Sequence, residues 1–195
     1  MMTSSILGEF DLMHRVNTTH PMSIATAPGE PLRLTGLAPV FDTGIRCLIL
    51  GSFPSPASLA AQQYYGHKQN HFWRLLGAIL AEPLPELPYA ERTQRVLAHR
   101  IGIWDVYRAC VRPGALDADI RAGEANELDA LIAQAPALER ICFNGRCAAK
   151  FAPKLVGHEL EIHTLPSSSP AYTLAFATKL ECWRAAICQE NATPN

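Results

Sequence analysis

A glycine-led loop and the polar, aromatic segment after it are the parts of this sequence best suited to chemistry. Residues 51–55 read Gly-Ser-Phe-Pro-Ser and directly follow the apolar run 47–50. A buried strand that ends in Gly-Ser, with proline stiffening the turn, brings N–H groups and small side chains to the carboxyl edge of a parallel sheet, where open α/β folds bind ligands. Residues 64–73 read Tyr-Tyr-Gly-His-Lys-Gln-Asn-His-Phe-Trp, a composition typical of a pocket that stacks on a flat heterocycle.

Two later segments are also polar and lie where loops are expected. Residues 143–145 read Phe-Asn-Gly, and residues 165–171 read Leu-Pro-Ser-Ser-Ser-Pro-Ala. Serines between prolines form a rigid loop whose hydroxyls and N–H groups can follow a phosphate backbone. An ordinary turn is the alternative, because Pro and Ser are among the commonest turn residues. Asn144 can likewise present its amide to a base or be a plain strand-end turn residue.

An alternating pattern of short apolar runs and helical segments positions these loops. The predicted strands are 46–51, 101–106, 140–144 and 161–165, and the predicted helices are 56–65, 72–81, 89–99, 124–135, 146–155 and 172–189. Alternation of this kind predicts a parallel sheet with helices on both faces. We therefore expect an α/β fold, a three-layer α/β/α sandwich around a four-stranded parallel sheet, with the loops that follow the strands along one edge.

Composition limits the class of protein. The chain has 195 residues, of which 48% are hydrophobic, so it suits one domain with a sizeable core. Residues 1–30 lack periodicity and are expected to form a flexible tail ahead of a single domain, residues 31–195. The net charge is −1, so nucleic-acid contact would depend on a local patch. Without a signal-peptide pattern or an apolar run of the roughly 18 residues a membrane helix needs, we expect a soluble, cytoplasmic protein.

The six cysteines do not suggest a metal site. No Cys-x-x-Cys pair occurs in the sequence, so buried free thiols are the expected state. We expect no metal and no cofactor.

Five motifs, taken together and in order, resemble the uracil-DNA glycosylase superfamily, and most closely its hypoxanthine-DNA (deoxyinosine) glycosylases. They are the motifs at 51–55, 64–73, 103–106 (Ile-Trp-Asp-Val), 143–145 and 165–171. The resemblance runs from about residue 37 to residue 183. It implies a uracil-DNA glycosylase-like fold and a monofunctional enzyme that needs no metal. Such an enzyme flips a deaminated base out of DNA and hydrolyses its N-glycosidic bond, leaving an abasic site. Hypoxanthine would be the preferred base, with uracil and xanthine as further substrates to test.

The resemblance also assigns roles to residues, with two departures from the usual pattern. In the superfamily, the third residue of the loop that corresponds to 51–55, the first loop, is usually an Asp or Asn that positions the water. This chain has Phe53 at that position. We expect Asn70 to compensate by orienting a water through its carbonyl, although a helix cap is the alternative. We expect the amide of Asn144 to read the O6 and N1–H of the base. Leu165 stands where many relatives have a histidine that bonds uracil O2, which favours a purine substrate.

The full set of candidate site residues follows from these assignments. The catalytic candidates are Asn70 and Asn144. The base-pocket candidates are Gly51, Ser52, Phe53, Tyr65, Phe72 and Asn144. The DNA-binding candidates are Pro54, Ser55, His67, Ser167, Ser168, Ser169 and Lys179.

Several alternatives stay open. Asp105 either contacts the base or caps a loop, His67 either meets a phosphate or orders its loop, and Lys179 is either a phosphate ligand or a solvated lysine beside Trp183. His163, on the same strand face as Leu165, is a weak substitute for the missing histidine. The expected partner is DNA with a deaminated base, bound by a monomer. Rival functions are a non-catalytic nucleic-acid or nucleotide binding module and a serine hydrolase, although the Gly-x-Ser-x-Gly motif of α/β-hydrolases is absent.

Overall fold

The computed structural model describes residues 32–188, and the predicted tail, residues 1–30, lies outside that range. The strands are β1 Arg33–Thr35, β2 Cys47–Gly51, β3 Ile101–Asp105, β4 Tyr107–Val111, β5 Arg121–Ala125, β6 Arg140–Asn144 and β7 Glu161–Leu165. The α-helices are α1 Pro56–Ala61, α2 Phe72–Leu80, α3 Tyr89–Ala98, α4 Leu128–Gln134, α5 Arg146–Ala149 and α6 Phe176–Ile187.

The predicted parallel sheet is confirmed. Four strands pair in the order β3-β2-β6-β7, and all three pairings are parallel. The observed β6 and β7 have the predicted bounds, and β2 and β3 are each one residue shorter. Because the strands are parallel, the segments that follow β2, β3, β6 and β7 all leave from the same edge.

The core lies on both faces of this sheet. In β2, Cys47 and Ile49 face a cluster formed with α2, α3 and α6. Leu48 and Leu50 face a second cluster that includes α4 and α5. Successive strand side chains point to opposite faces, so a strand buried on both sides is apolar at every position. The expected α/β/α layering follows from this two-sided burial.

A second sheet was not predicted. Strands β1, β4 and β5 pair antiparallel in the order β1-β4-β5. Residues 107–111, which directly follow the predicted strand 101–106, form a strand of their own. The expected helix 124–135 starts only at Leu128, because Arg121–Ala125 is paired with β4. This pairing joins distant segments, and the Arg-Ala-Gly-Glu-Ala sequence of β5 has little strand propensity of its own.

All six predicted helices are shorter than expected, and besides 124–135 three of them differ by several residues. The first ends at Ala61, because Gln62 adopts a left-handed conformation with φ 52°. The fifth ends at Ala149 and is followed by a 3₁₀ turn at Ala152–Leu155, which contains Pro153 and its missing N–H. The last spans Phe176–Ile187. None of the described helices has the length and apolar character to span a bilayer.

The cysteines are free thiols, but only three of them are buried. Cys47, Cys110 and Cys142 lie in the interior, whereas Cys182 and Cys188 are exposed on and just after α6. The expectation of six buried thiols is wrong for this helix, because one of its faces is turned to solvent. Within residues 32–188, no group of three or more His, Cys, Asp or Glu side chains is placed to hold a metal ion.

Candidate active site

A pocket of about 240 Å³ opens at the carboxyl edge of the parallel sheet. The last residues of three adjacent strands line it: Gly51 of β2, Asp105 of β3 and Asn144 of β6. The other lining residues come from the segments 52–58, 64–70, 112–117 and 167–172. This volume lies just below the roughly 300–1,000 Å³ usual for small-molecule sites, so it suits one heterocycle better than a large cofactor.

Asn144 is held in the pocket by the segment 165–171, the serine loop. Its Nδ2 donates to Ser168 Oγ at 2.9 Å, and its Oδ1 accepts from the Ser168 N–H at 2.8 Å. Both residues are buried, with Asn144 8% exposed and Ser168 fully enclosed. An amide has two N–H donors and two carbonyl lone pairs, so one of each remains after these bonds. Ser168 therefore fixes the orientation of an amide that can still bind a ligand.

Asn70 enters the same pocket from the segment before α2. Its Oδ1 accepts from the Phe72 N–H at 3.0 Å, so it satisfies one of the free donors at the start of that helix. The next residue joins this segment to the serine loop, since the His71 N–H donates to the Ser168 carbonyl at 3.0 Å. Asn70 thus has both a capping role and a place in the pocket, and one lone pair of its carbonyl stays available.

Side chains from after β4 hold the first loop. Ser52 Oγ donates to Asp117 Oδ1 at 2.5 Å. Arg112 donates to the Pro54 carbonyl at 2.6 Å, and its guanidinium lies 5.2 Å from the centre of the Phe53 ring. These contacts fix the loop that follows β2 against the pocket.

Asp105 is the most unusual ionisable group in the pocket. Its side chain is buried, and Oδ2 has no hydrogen-bond partner among the described residues. Burial raises the pKa of Asp105 to about 8; the Asp117 carboxylate adds to this rise and the Arg112 guanidinium opposes it. A carboxyl group with that pKa is mostly protonated at neutral pH.

Two predicted stacking residues lie against each other. The rings of Tyr65 and Phe72 are 3.6 Å apart between centres and inclined by 12°. Tyr65 lines the pocket and Phe72 does not; Phe72 is fully buried beneath it. Burial raises the pKa of the Tyr65 hydroxyl well above its usual range, and the Asn144 side chain beside it opposes that rise. The aromatic surfaces that face the pocket therefore belong to Phe53, Tyr64, Tyr65 and Tyr172.

The order of the pocket-forming segments matches a known family. A family model described as "Uracil DNA glycosylase superfamily" matches residues 38–191. The chain belongs to the uracil DNA glycosylase superfamily. The superfamily predicted from the five motifs is therefore confirmed.

Relatives of this superfamily member are similar over most of their length. A hypoxanthine DNA glycosylase from Methanosarcina acetivorans is 43% identical over 136 residues, which cover 70% of this chain and 86% of the relative. A hypoxanthine DNA glycosylase from Methanosarcina barkeri is 37% identical over 156 residues, covering 80% and 99%. A solution NMR structure of a candidate uracil DNA glycosylase from M. acetivorans matches with a TM-score of 0.74 and 38% identity, covering 80% of this chain and 97% of that one.

Most of the predicted site residues of this superfamily member meet in one pocket. Asn70 and Asn144, taken from segments far apart in the chain, both line it. The other predicted residues that line it are Gly51, Ser52, Phe53, Pro54, Ser55, Tyr65, Ser167, Ser168 and Ser169. Phe72, His67 and Lys179 do not line it. No histidine from the described part of the chain lines it either, which removes the base that a serine hydrolase would need beside Ser52.

The structure corrects several predicted DNA contacts. Lys179 is fully buried, and its ammonium donates to the Tyr172 carbonyl at 2.7 Å, so it is neither a solvated lysine nor free to meet a phosphate. Ser168 is fully buried, and its N–H donates to Asn144 Oδ1. Pro54 is also buried, although it lines the pocket. His67 is exposed, and its Nδ1 accepts from the Gln69 N–H at 3.2 Å, which orders its own loop.

Two charged pocket residues were missed by the sequence reading. Arg112 and Asp117 follow β4, a strand that was not predicted. The available signal was the Arg-Pro-Gly turn at 112–114, which comes shortly after the Ile-Trp-Asp-Val motif at 103–106. His163, the weak candidate for the missing histidine, contacts Glu161 Oε2 at 3.5 Å and does not line the pocket.

Lys179→Met is expected to destabilise the fold by about 1–3 kcal/mol, because the partly buried carbonyls of Ser169 and Tyr172 would lose their donor. A chain of this size would then melt several degrees lower, at about 2–4 °C per kcal/mol. Thermal unfolding followed by circular dichroism measures the change. Lys150→Met is the matched control, since Lys150 is exposed just after α5. Equal melting temperatures for the two variants would contradict a structural role for Lys179.

Proposed function

We propose that this protein is a monofunctional DNA glycosylase that removes hypoxanthine from deoxyinosine in DNA and leaves an abasic site. The observation that carries the proposal is the meeting of Asn70 and Asn144 in one base-sized pocket beside the serine loop. The activity class, a DNA glycosylase for deaminated bases, is confirmed by the family match and by the two hypoxanthine DNA glycosylases. The choice of hypoxanthine within that class and the residue roles below are part of the proposal.

Asn144 is the proposed reader of the base. Hypoxanthine presents the O6 acceptor beside the N1–H donor, and the remaining N–H and lone pair of the Asn144 amide match this pair. Adenine presents the reverse pattern. Its binding would leave two buried polar groups unpaired, at roughly 1–3 kcal/mol each. Because the Ser168 N–H donates to Oδ1, rotating the amide to accept adenine would break this hydrogen bond and place two N–H donors against each other.

Asn70 is the proposed holder of the attacking water. Cleavage passes through an oxocarbenium-like sugar, so the main requirements are a placed water and stabilisation of the departing base. An amide cannot take a proton near neutral pH, but its carbonyl can orient a water. The carbonyl of Asn70 is itself oriented by the Phe72 N–H, which supports a fixed position for that water.

The rim of the pocket is the proposed DNA contact. Ser55, Ser167 and Ser169 are half-buried residues that line it. Their small hydroxyls can approach phosphates closely. His67 lies on the exposed loop before Asn70 and extends this surface. With a net charge of −1, such local contacts rather than the charge of the whole protein would hold the strand.

The proposal extends to organisation and location. The residues that line the pocket all lie between Gly51 and Tyr172, which supports a single glycosylase domain, residues 31–195, and the proposed acting form is a monomer. The described cysteines are free thiols, which is consistent with the reducing cytoplasm.

We expect a labelled duplex with one deoxyinosine to break at that position after incubation with the protein and then hot alkali. Alkali cleaves the abasic site that a glycosylase leaves. An identical duplex with adenosine at that position is the control and should stay intact. Binding to the deoxyinosine duplex without any alkali-sensitive product would contradict the proposal and favour a non-catalytic binding module.

A further inference from the structure

We propose that Asp105 is a further catalytic residue, whose carboxyl group faces the flipped base and donates its proton to N7 of the departing purine. The inference rests on the proposed function, since it needs a purine in the pocket. It concerns the departure of the base, whereas Asn144 and Asn70 serve recognition and water placement.

The geometry places Asp105 at the centre of the site. It ends β3, beside the strand β2 that delivers the first loop, and Gly51 and Asp105 are partners in the parallel register. The Asp105 Oδ1 lies so close to the Gly51 Cα that a methyl group on Gly51 would collide with it and would lie 3.0 Å from the Tyr65 hydroxyl. Glycine at position 51 therefore leaves the space that the Asp105 carboxyl group occupies.

The carboxyl group is buried without its full set of partners. Asp105 is 4% exposed, and no described group bonds to Oδ2. A buried polar atom left unpaired costs about 1–3 kcal/mol, so the Oδ2 atom of Asp105 calls for an explanation beyond folding. A bound purine would give Asp105 the acceptor that the protein does not.

The surroundings keep this carboxyl group protonated at neutral pH. Burial is the main cause, and it raises the pKa of Asp105 to about 8. The charged neighbours oppose each other, since Asp117 raises the pKa and Arg112 lowers it. The remaining ionisable groups around it are the phenols of Tyr64, Tyr65 and Tyr89, whose own pKa values are raised, chiefly by burial. They are therefore neutral when Asp105 titrates.

The proposed step conserves atoms and charge. The C1′–N9 bond breaks and its electron pair goes to the purine, while the O–H bond of Asp105 breaks and an N7–H bond forms. Hypoxanthine leaves neutral and Asp105 becomes a carboxylate. Water then bonds to C1′, and the proton it releases returns to Asp105, directly or through solvent. General-acid help of this kind is typically worth about 10²–10⁴-fold. A general acid at Asp105 is also consistent with Leu165, because many relatives have at that position a histidine that stabilises the departing base.

The experiment measures single-turnover cleavage of the deoxyinosine duplex from pH 6 to pH 9.5, at subsaturating and saturating enzyme. The active form carries the proton, so the wild-type rate constant at subsaturating enzyme should fall as the pH rises through about 8. Asp105→Asn keeps the size and polarity of the side chain but has no acidic proton. We expect its rate at neutral pH to drop about 10²-fold or more, its falling limb to disappear, and its duplex affinity to change far less.

A second variant changes the electrostatic surroundings of Asp105 and leaves Asp105 itself unchanged. Asp117→Asn removes the negative charge that raises the pKa of Asp105, yet its amide oxygen can still accept from Ser52. The falling limb should therefore move to lower pH. Asp129→Asn is the matched control, because Asp129 is an exposed carboxylate of α4 that does not line this pocket. Its profile should keep the wild-type limb.

The outcomes separate the two proposals. If the wild-type protein cuts the deoxyinosine duplex but Asp105→Asn keeps both the rate and the falling limb, the role of Asp105 is wrong and the glycosylase function stands. If the falling limb of the pH profile lies at the same pH in Asp117→Asn as in the wild type, the role of Asp105 is also wrong. If the wild-type protein leaves deoxyinosine intact at every pH, the proposed function itself fails.

Discussion

Asn70→Ala is expected to lower the single-turnover cleavage of deoxyinosine by about 10²–10³-fold. That is the range seen when one preorganised polar group is removed or one reactant loses its position. Asn70 lines the pocket and its carbonyl is fixed by the Phe72 N–H at 3.0 Å, so alanine would remove both the water contact and its support. Rapid-quench measurement with enzyme in excess over duplex reports this rate directly.

The capping role of Asn70 needs its own control. Asn70→Ala should also destabilise the fold by about 0.5–2 kcal/mol, because the first turn of α2 loses its acceptor. Asn70→Asp keeps an oxygen for the Phe72 N–H and places a negative charge at a helix start, where it is favourable. It should melt like the wild type and retain far more activity than the alanine variant. An alanine variant that cleaves at a near-normal rate would rule out Asn70 as the holder of the water.

Asn144→Ala should lower cleavage by a similar factor, about 10²–10³-fold, and should also weaken the preference for deoxyinosine over adenosine in duplex binding. In the proposed role the Asn144 amide supplies the two contacts that tell hypoxanthine from adenine, and the variant has neither. The buried N–H and hydroxyl of Ser168 would lose their partner, at a cost of about 1–3 kcal/mol. Competition binding with the two duplexes and thermal unfolding measure the two effects separately.

Ser168→Ala distinguishes reading of the base from support of the loop. It removes the hydroxyl that accepts from Asn144 Nδ2 but keeps the backbone N–H that donates to Oδ1. With the amide still present, we expect a loss of only about 10-fold, the worth of roughly one hydrogen bond. Equal activity losses from Ser168→Ala and Asn144→Ala would show that Asn144 acts only through the loop.

The parallel sheet and most of the pocket were predictable from the sequence. Strands β2, β3 and β6 are mostly apolar, β7 mixes polar and apolar residues, and β6 and β7 have the predicted bounds. In a parallel sheet the carboxyl ends of the strands lie together, so motifs after separate strands had to meet at one edge. This rule places Asn144 and the first loop beside each other before any coordinates are known.

Side-chain direction and long-range pairing were not predictable in the same way. Lys179 is a charged residue on a helix, and its burial is explained by the Ser169–Tyr172 segment packed over it, whose Tyr172 carbonyl accepts from the ammonium. Phe72 lies beneath Tyr65 rather than in the pocket because the two rings stack. The antiparallel sheet β1-β4-β5 joins segments from three parts of the chain, and it brings Arg112 and Asp117 to the first loop.

The sequence by itself determined the superfamily, the parallel sheet and the edge where the chemistry lies, because hydrophobic periodicity and motif order are local properties that a chain carries whether or not it is folded. Only the tertiary structure decided which polar atoms are buried without partners. Asp105 is an ordinary aspartate in the sequence. Its raised pKa arises mainly from removal of water by residues distant in the chain and in part from the nearby carboxylate of Asp117, while Arg112 opposes the rise; such an environment exists only after folding.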